Sequence, residues 1–596
     1  SQVITSQLHI RFPNTTQAIY AKLVEKCGER LYWENWAAEV GEIAKKYIAR
    51  IKRLVSGGNP TLVGEFSLFV QTLRQNLNQS INADQCIEML AQHLITRPVF
   101  EALFADYQFV RNNSISSSMQ RMVELLEREA VDKDLDALNK FYNSVRTNVG
   151  QIDNLAGKQT VIKNLYEKFF KHAFPLTVEK LGTVYTPIEC VDFILHSVDD
   201  VLKKEFGTSF TQEGVHILDP FTGTGTFITR LLQSGLIFPE DMKRKYLSEI
   251  HVNEITLLAY YIADVNIESV FQELCPQTEY LPFKGICLTD TFQLSESDEG
   301  FVINEFFREN SEEVEKQRKT PIRVIIGNPP YSAGQKSSND NAQNQRYPNL
   351  EKRIEETYVA ASTATSTKNL YDTYIKAFRW ATDRIAKDER GGVIAFISNG
   401  AWLDGNSLDG FRASLQGEFD KIYVYNLRGN ARTQGELRKR EGDGIFDLGS
   451  RTPIAITILA RYPDARRLPK GEIYYHDIGD YLSREQKLTA IQKAKSYANL
   501  AWTQITPNAK HDWINQRGDL FGTLPPLAPQ KKFDKQTESV FVVNSLGVAT
   551  AKDAFLYNFS SRELHATTER MVAFYNQERE RLAADMGYTL KFDPTQ

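Results

Sequence analysis

The first third of the chain repeats apolar residues at helical spacing. Between residues 33 and 54, Trp36, Val40, Ile43, Ala44, Tyr47, Ile48 and Ile51 form one stripe, with Glu, Lys and Arg between them. That spacing predicts an amphipathic helix. Gly57, Gly58, Asn59 and Pro60 end it, because two glycines and a proline do not continue a helix. Similar stretches at 62–77, 83–104, 118–129, 135–145 and 156–170 predict further helices, with no strand-like alternation among them. Residues 1–175 therefore read as a helical domain whose role is packing or coupling.

The pattern changes at Gly182-Thr183-Val184-Tyr185-Thr186-Pro187. Pro187 stands near the first turn of a helix predicted over 188–202, where proline is tolerated. Short apolar runs then alternate with helical stretches. Strands are predicted at 215–218, 249–252, 285–288, 323–326, 392–397, 421–425 and 454–459, and helices at 225–232, 256–265 and 370–387. Such alternation predicts an α/β domain with a mainly parallel sheet over residues 176–462. The stretch 332–350, rich in Ser, Asn and Gln, is too long for a simple connection and predicts a functional or disordered segment. Beyond Arg461 the alternation fades, so residues 463–596 read as a mixed α/β domain with a proline-marked loop (Pro525, Pro526, Pro529) and a helix at 562–584. The end at Lys591-Phe592-Asp593-Pro594 lacks a terminating element and predicts a chain cut short.

Composition narrows this picture only a little. At 596 residues the chain has room for about three to four domains. No apolar run reaches the ~18 residues of a membrane span, and the start does not resemble a signal peptide. Cys27, Cys86, Cys190, Cys275 and Cys287 are scattered, without a CxxC pair or a neighbouring His at ligand spacing. This argues against a metal site and for a reduced cytoplasmic compartment. A formal net charge of −4 does not announce a polyanion partner, although basic residues grouped on one surface could still serve one.

The candidate chemistry lies at the predicted strand ends. Val324, Ile325 and Ile326 make a buried strand, Gly327 begins the turn, and Asn328-Pro329-Pro330-Tyr331 follows. Two prolines remove two backbone donors and force an extended path. What remains is a ledge of acceptors, Asn328 Oδ1 and the Pro329 carbonyl, beside the ring of Tyr331. Such a ledge suits a planar amine such as the exocyclic NH₂ of adenine.

A second motif, Asp219-Pro220-Phe221-Thr222-Gly223-Thr224-Gly225-Thr226, leaves the first strand and opens a helix. Its glycines permit close backbone approach, and the helix start offers unpaired N–H groups to an anion. Position 228 is Ile rather than the third glycine of a dinucleotide fingerprint, and no Lys-Ser or Lys-Thr completes a P-loop. An acid at the strand tip plus a helix end suits a small zwitterion such as the methionine part of S-adenosylmethionine. Asn253 and Glu254 end the second strand, where an acid accepts from ribose hydroxyls. Asp290, Thr291 and Phe292 end the third, where a carboxylate can meet an adenine amine and Phe292 can pack on the ring.

This ordered set resembles the γ-class amino-methyltransferases, in which the Asn-Pro-Pro-Tyr motif grips adenine and a Ser at its first position goes with cytosine. By that resemblance Tyr185, Thr186 and Pro187 match the flanking cofactor motif, and the fold is a Rossmann-like S-adenosylmethionine-dependent methyltransferase. The block from Tyr425-Asn426-Leu427-Arg428-Gly429-Asn430-Ala431-Arg432 to Gly449-Ser450-Arg451-Thr452-Pro453-Ile454 resembles the type ISP restriction–modification enzymes more narrowly. Tyr32-Trp33-Glu34-Asn35-Trp36 is similar to their helical coupler. The resemblance implies a bacterial, cytoplasmic DNA adenine-N6 methyltransferase with S-adenosylmethionine as cofactor and a specific duplex DNA sequence as partner. It divides the chain into a coupler (1–175), a methyltransferase domain (176–462) and a truncated target-recognition domain (463–596). Without a Walker A sequence, the family's motor is not encoded here, and linked nuclease and helicase regions are expected outside this chain.

Arg428, Arg432, Arg438, Lys439 and Arg440, in a Gly- and Asn-rich stretch, are the expected DNA contacts. C5-cytosine chemistry is set aside, since it commonly uses a Pro-Cys nucleophile and this chain has the reverse, Cys275-Pro276. Two alternatives stay open: a protein-glutamine methyltransferase, because the same tetrapeptide can hold a side-chain amide, and an inactive DNA-binding or coupling module.

Overall fold

Strand β5 (Gly392–Asn399) shows how the sequence pattern becomes a layered fold. Val393, Ala395 and Ile397 face one apolar core, while Ile394 and Phe396 face another. A strand buried on both faces reads as a continuous apolar run, as parallel strands between helical layers do. The computed structural model describes residues 29–57, 59–103, 113–128, 186–276, 279–296, 306–330, 346–446, 451–518, 520–528, 538–541 and 556–586. They fall in two units, Ser1–Gln516 and Arg517–Gln596. The helices expected at 135–145 and 156–170, together with Tyr185 and Tyr331, lie outside the described residues.

The first unit is built on one sheet. Its strands are β1 (His216–Asp219), β2 (Ile250–Glu254), β3 (Ile286–Leu288), β4 (Ile322–Gly327), β5, β6 (Lys421–Arg428), β7 (Ile454–Arg461), β8 (Glu472–Asp477) and β9 (Thr503–Ile505). They lie in the order β3-β2-β1-β4-β5-β7-β6-β8-β9. The first five are parallel to one another, and β7 is inserted antiparallel between β5 and β6. The order reverses between β1 and β4, so a crevice opens beyond their carboxyl ends, where ligands of open α/β sheets bind.

All seven expected strands are present. The sheet does not stop at residue 462, where the sequence suggested a domain boundary. Strand β8 pairs parallel to the free edge of β6, and β9 pairs antiparallel to β8. Their sequences hide them: Glu-Ile-Tyr-Tyr-His-Asp is mostly half-buried, and Thr-Gln-Ile is only three residues long.

Four helices, Glu29–Gly57, Pro60–Asn76, Ala83–Leu103 and Ser114–Arg128, match the expected helical region. Asn59 caps the second by accepting from the Thr61 N–H at 2.8 Å, with Pro60 at its first turn. The third of these packs against the helix Leu257–Leu274, which is buried nearly all round. Asn113 donates to Asp264 Oδ2 at 2.6 Å and to the Tyr260 hydroxyl at 3.1 Å, and the His93 ring meets the Tyr261 hydroxyl at 3.0 Å. Phe69 packs edge-on against Phe306 with ring centroids 5.8 Å apart. The helical region and the sheet thus share one apolar core.

In the second unit the helix Ser561–Met586 matches the one expected near the C-terminal end. The Ser560 hydroxyl accepts from the Glu563 N–H at its start, and Arg581 pairs with Glu578 at 2.9 Å.

Candidate active site

The tips of β1, β2, β3 and β4 stand side by side, and each brings a polar group to the same edge. At β1, Asp219 is fully buried. Its Oδ1 accepts from the Phe221 N–H at 3.2 Å, and its Oδ2 has no hydrogen-bond partner among the described residues. Burial pushes this carboxyl up to about 7, against the pull of the Phe221 N–H. The neighbouring tip of β4 fits only because residue 327 is glycine: a Cβ there would lie 2.9 Å from Asp219 Oδ1. Apolar packing of β1 on β4 therefore sets an acid directly beside the turn that begins the Asn-Pro-Pro ledge.

Asn328 is oriented from the other side. Its Nδ2 donates to the Thr186 hydroxyl at 3.1 Å, and its Oδ1 is buried without a partner among the described residues. Thr186 precedes Pro187, which caps the helix Ile188–Val201 and whose carbonyl accepts from Cys190 at 3.0 Å. The flanking motif and the acceptor motif, 142 residues apart, meet through this one bond. Pro329 and Pro330 continue outward, Pro330 being exposed.

The glycine turn is held from below. Gly225 adopts φ +83° at the start of the helix Thr226–Gln233, and a Cβ would approach the Ala263 backbone to 3.2 Å. Gly223 donates its N–H to Glu254 Oε2 at 2.9 Å, while Glu254 Oε1 accepts from the N–H and the hydroxyl of Thr256. Glu254 thus keeps one acceptor position, on Oε2. Burial raises its carboxyl, and these N–H donors oppose the shift. The Thr224 and Thr226 hydroxyls approach each other at 3.4 Å on the half-exposed rim.

Two residues expected to touch cofactor belong to the scaffold. Asn253 is fully buried: its Oδ1 accepts from Gln317 at 2.9 Å and its Nδ2 faces Thr291 Oγ1 at 3.3 Å. Thr291 in turn donates to the Pro220 carbonyl at 2.6 Å. Their polar groups are spent locking β2, β3 and the turn after β1 together, which sequence spacing could not distinguish from an outward role. Asp290 and Phe292 do line the edge. Asp290 Oδ1 accepts from the Phe292 N–H at 3.0 Å, and Phe292 packs between Phe221 (5.5 Å) and Tyr347 (5.3 Å).

Two residues outside the expected set hold Asp290 Oδ2, Tyr347 at 2.8 Å and Asn78 at 3.1 Å. Neither sits in a motif. Tyr347 ends the polar stretch, and Asn78 lies in the helical region 212 residues away.

The basic stretch divides. Arg428, with φ +55°, is claimed by Asp477 at 2.7 Å and by Asp480, so it fastens β6 to β8. Arg438 donates to the Gly442 carbonyl at 2.5 Å, closing the short helix Gly435–Glu441. Arg432, Lys439 and Arg440 are exposed, and the last two meet Glu436 and Asp480 only at 3.8 Å. Of the five expected DNA contacts, Arg428 and Arg438 thus hold partners within the fold.

Comparison with known proteins finds three family matches along the chain. Residues 32–157 match the coupler domain of type ISP restriction-modification enzymes, residues 248–431 the Eco57I restriction-modification methylase, and residues 539–595 the type ISP C-terminal specificity domain. No curated protein sequence matches the chain. Among solved structures, a nuclease-deletion mutant of the type ISP enzyme LlaGI, in complex with a DNA substrate mimic, is 44% identical over 97% of this chain and 46% of its own, with TM-score 0.85. The ATP-dependent type ISP enzyme LlaBIII bound to DNA is 43% identical over 94% of this chain and 38% of its own, with TM-score 0.86. DrdV in complex with DNA is 32% identical over 92% and 52%, with TM-score 0.80. The chain spans about half or less of the length of these relatives. Coupler, methylase and specificity regions in one polypeptide, in the order that the sheet and its helical partner display, place the chain in the type ISP restriction–modification family.

Proposed function

We propose that this chain transfers a methyl group from S-adenosylmethionine to the N6 amine of adenine in duplex DNA, as the modification part of a type ISP enzyme. The observation that carries this reading is the pair of buried acceptors, Asp219 Oδ2 and Asn328 Oδ1, that have no hydrogen-bond partner among the described residues and stand on adjacent strand tips. Buried acceptors without donors are costly to the fold and mark places where a ligand completes the bonding.

The donor set fits the cofactor. Asp219 faces an ammonium, the helix start at Thr226 offers N–H groups to a carboxylate, Glu254 Oε2 has room for one ribose hydroxyl, and Asp290 Oδ1 has room for an adenine amine. When bound, S-adenosylmethionine supplies an electrophilic methyl group. The chain's own part is positioning and electrostatics. Asn328 Oδ1 and the Pro329 carbonyl accept the two N6 hydrogens, which draws the nitrogen lone pair out of the ring plane and stabilises charge as it develops there. Thr186 holds the Asn328 amide so that its oxygen faces inward. Base-paired adenine hides N6, so the target base has to leave the duplex. Asn at position 328, rather than Ser, favours adenine over cytosine. The structures of LlaGI, LlaBIII and DrdV with DNA support DNA as the substrate class.

Incubation with labelled S-adenosylmethionine and unmodified DNA, followed by digestion to nucleosides, tests the proposal. Label in N6-methyldeoxyadenosine is expected. Label in N4-methylcytosine would overturn the choice of base. Absence of any labelled nucleoside, with cofactor binding measured separately, would overturn the activity.

A further inference from the structure

The carboxyl end of β3 is clamped by the helical region. Thr289 donates its hydroxyl to the Asn76 carbonyl at 3.1 Å, Ser311 donates to Asn76 Oδ1 at 2.8 Å, and Asn310 Oδ1 accepts from the Leu288 N–H at 2.8 Å. Two residues on, Asn78 Nδ2 reaches Asp290 Oδ2 at 3.1 Å. The direction of that amide is fixed locally, because Asn78 Oδ1 accepts from both the N–H (3.1 Å) and the hydroxyl (2.6 Å) of Ser80. Nδ2 is left with Asp290 as its target. Tyr347 fills the second site on the same oxygen at 2.8 Å. Among the described residues Oδ2 is doubly bonded and Oδ1 is bonded once, by the Phe292 N–H, which leaves one acceptor position on the carboxylate.

We infer that Asn78 is a positioning residue for the cofactor, a donor from the coupler region that aims the Asp290 carboxylate at the adenine amine. The inference rests on the proposed role of Asp290 in holding cofactor. It makes S-adenosylmethionine affinity a property of the seam between coupler and methylase rather than of the methylase alone. Asp290 is almost fully buried, and burial raises its carboxyl while Tyr347, Asn78 and the Phe292 N–H hold it down. Tyr347 and Asn78 are the side-chain groups that face it directly. Glu296 and Glu351 act on Tyr347, and Lys376 lies over the Tyr347 ring at 5.3 Å. Without the Asn78 donor, the same burial acts with one fewer opponent, and Asp290 takes up a proton at higher pH than before.

Calorimetric titration of the whole chain with S-adenosylmethionine at several pH values tests this, with thermal melting to verify folding. Asn78→Ala is expected to weaken binding roughly tenfold at neutral pH, more at lower pH, as one hydrogen bond to a charged group would predict. The nearly isosteric Asn78→Asp is expected to show the opposite slope. Near neutrality one shared proton between residues 78 and 290 preserves a donor, and binding fails as pH rises and both carboxyls ionise. Asn113→Ala breaks a seam bond remote from Asp290 and is expected to leave affinity within twofold. Equal, pH-independent losses for all three variants would reduce Asn78 to a packing role and overturn the inference. Asp290→Asn separates the two levels. If it leaves affinity unchanged, the cofactor role of Asp290 fails; if it weakens binding while Asn78→Ala and Asn78→Asp do not, only the role of Asn78 fails.

Discussion

Asp219 is the most expensive side chain in the proposed site, and its replacement by Asn separates its cost from its use. The carboxyl rises from 3.8 to about 7 because the fold removes it from water, against the pull of the Phe221 N–H and the Thr222 hydroxyl. A native-state value above the unfolded one means that the folded protein holds the proton more tightly. Stability from the neutral acid is therefore full below about pH 4 and lost as pH rises toward 7. At ~1.36 kcal/mol per tenfold change, the ionised group destabilises the free protein by about 4 kcal/mol above neutrality. Asp219→Asn removes that dependence, at a cost of about 1–3 kcal/mol for an amide N–H placed where Oδ2 now has no partner. Net stabilisation of about 1–3 kcal/mol is expected at pH 8. The variant should gain about 2.5 kcal/mol relative to the parent between pH 5 and pH 8. Denaturant unfolding at both pH values reads this difference, and calorimetry should show at least a tenfold loss of S-adenosylmethionine affinity, since Asn carries no charge for the ammonium. An unfolding difference equal at pH 5 and pH 8 would refute the buried ionised carboxylate, and unchanged affinity would refute its use.

Four further outcomes are expected. Asn328→Ala should lower methyl transfer by about 10²–10³-fold or more while cofactor affinity stays within twofold, and equal losses of both would place the ledge wrongly. Gly225→Ala forces a Cβ into a left-handed residue against the Ala263 backbone, so melting should fall by the equivalent of about 1–2 kcal/mol or more, and cofactor affinity should fall with it. Lys439→Ala with Arg440→Ala should flatten the dependence of log DNA affinity on log salt by up to about 1.8, at ~0.9 per phosphate contact, with melting unchanged. Arg428→Ala should instead lower the melting temperature, because it leaves Asp477 without its cation and Asp480 with only Arg440 at 3.8 Å.

By itself the sequence determined the layers and the chemistry carried on the strand tips. Seven strands, the helical first third and the acids at 219, 254 and 290 follow from periodicity and from the turn residues that end each run. Those are local properties, and local rules read them. It also carried the family, through contiguous motifs from Asp219 to Tyr331 and the block around Arg428.

Tertiary structure decided which polar groups are free. Asn253 and Thr291 look as outward as Glu254 and Asp290 in the chain, yet Gln317 and the Pro220 carbonyl consume them. Arg428 looks as available as Lys439, yet β8 brings Asp477 and Asp480 against it, and β8 itself was hidden by its half-buried tyrosines. Asn78 had no signal at all. Its role exists because packing of Phe69 on Phe306 and the bonds of Asn76 to Thr289 and Ser311 bring the end of one helix to the end of β3. Hydrogen-bond capacity belongs to a residue, but whether it is spent or spare depends on neighbours hundreds of residues away.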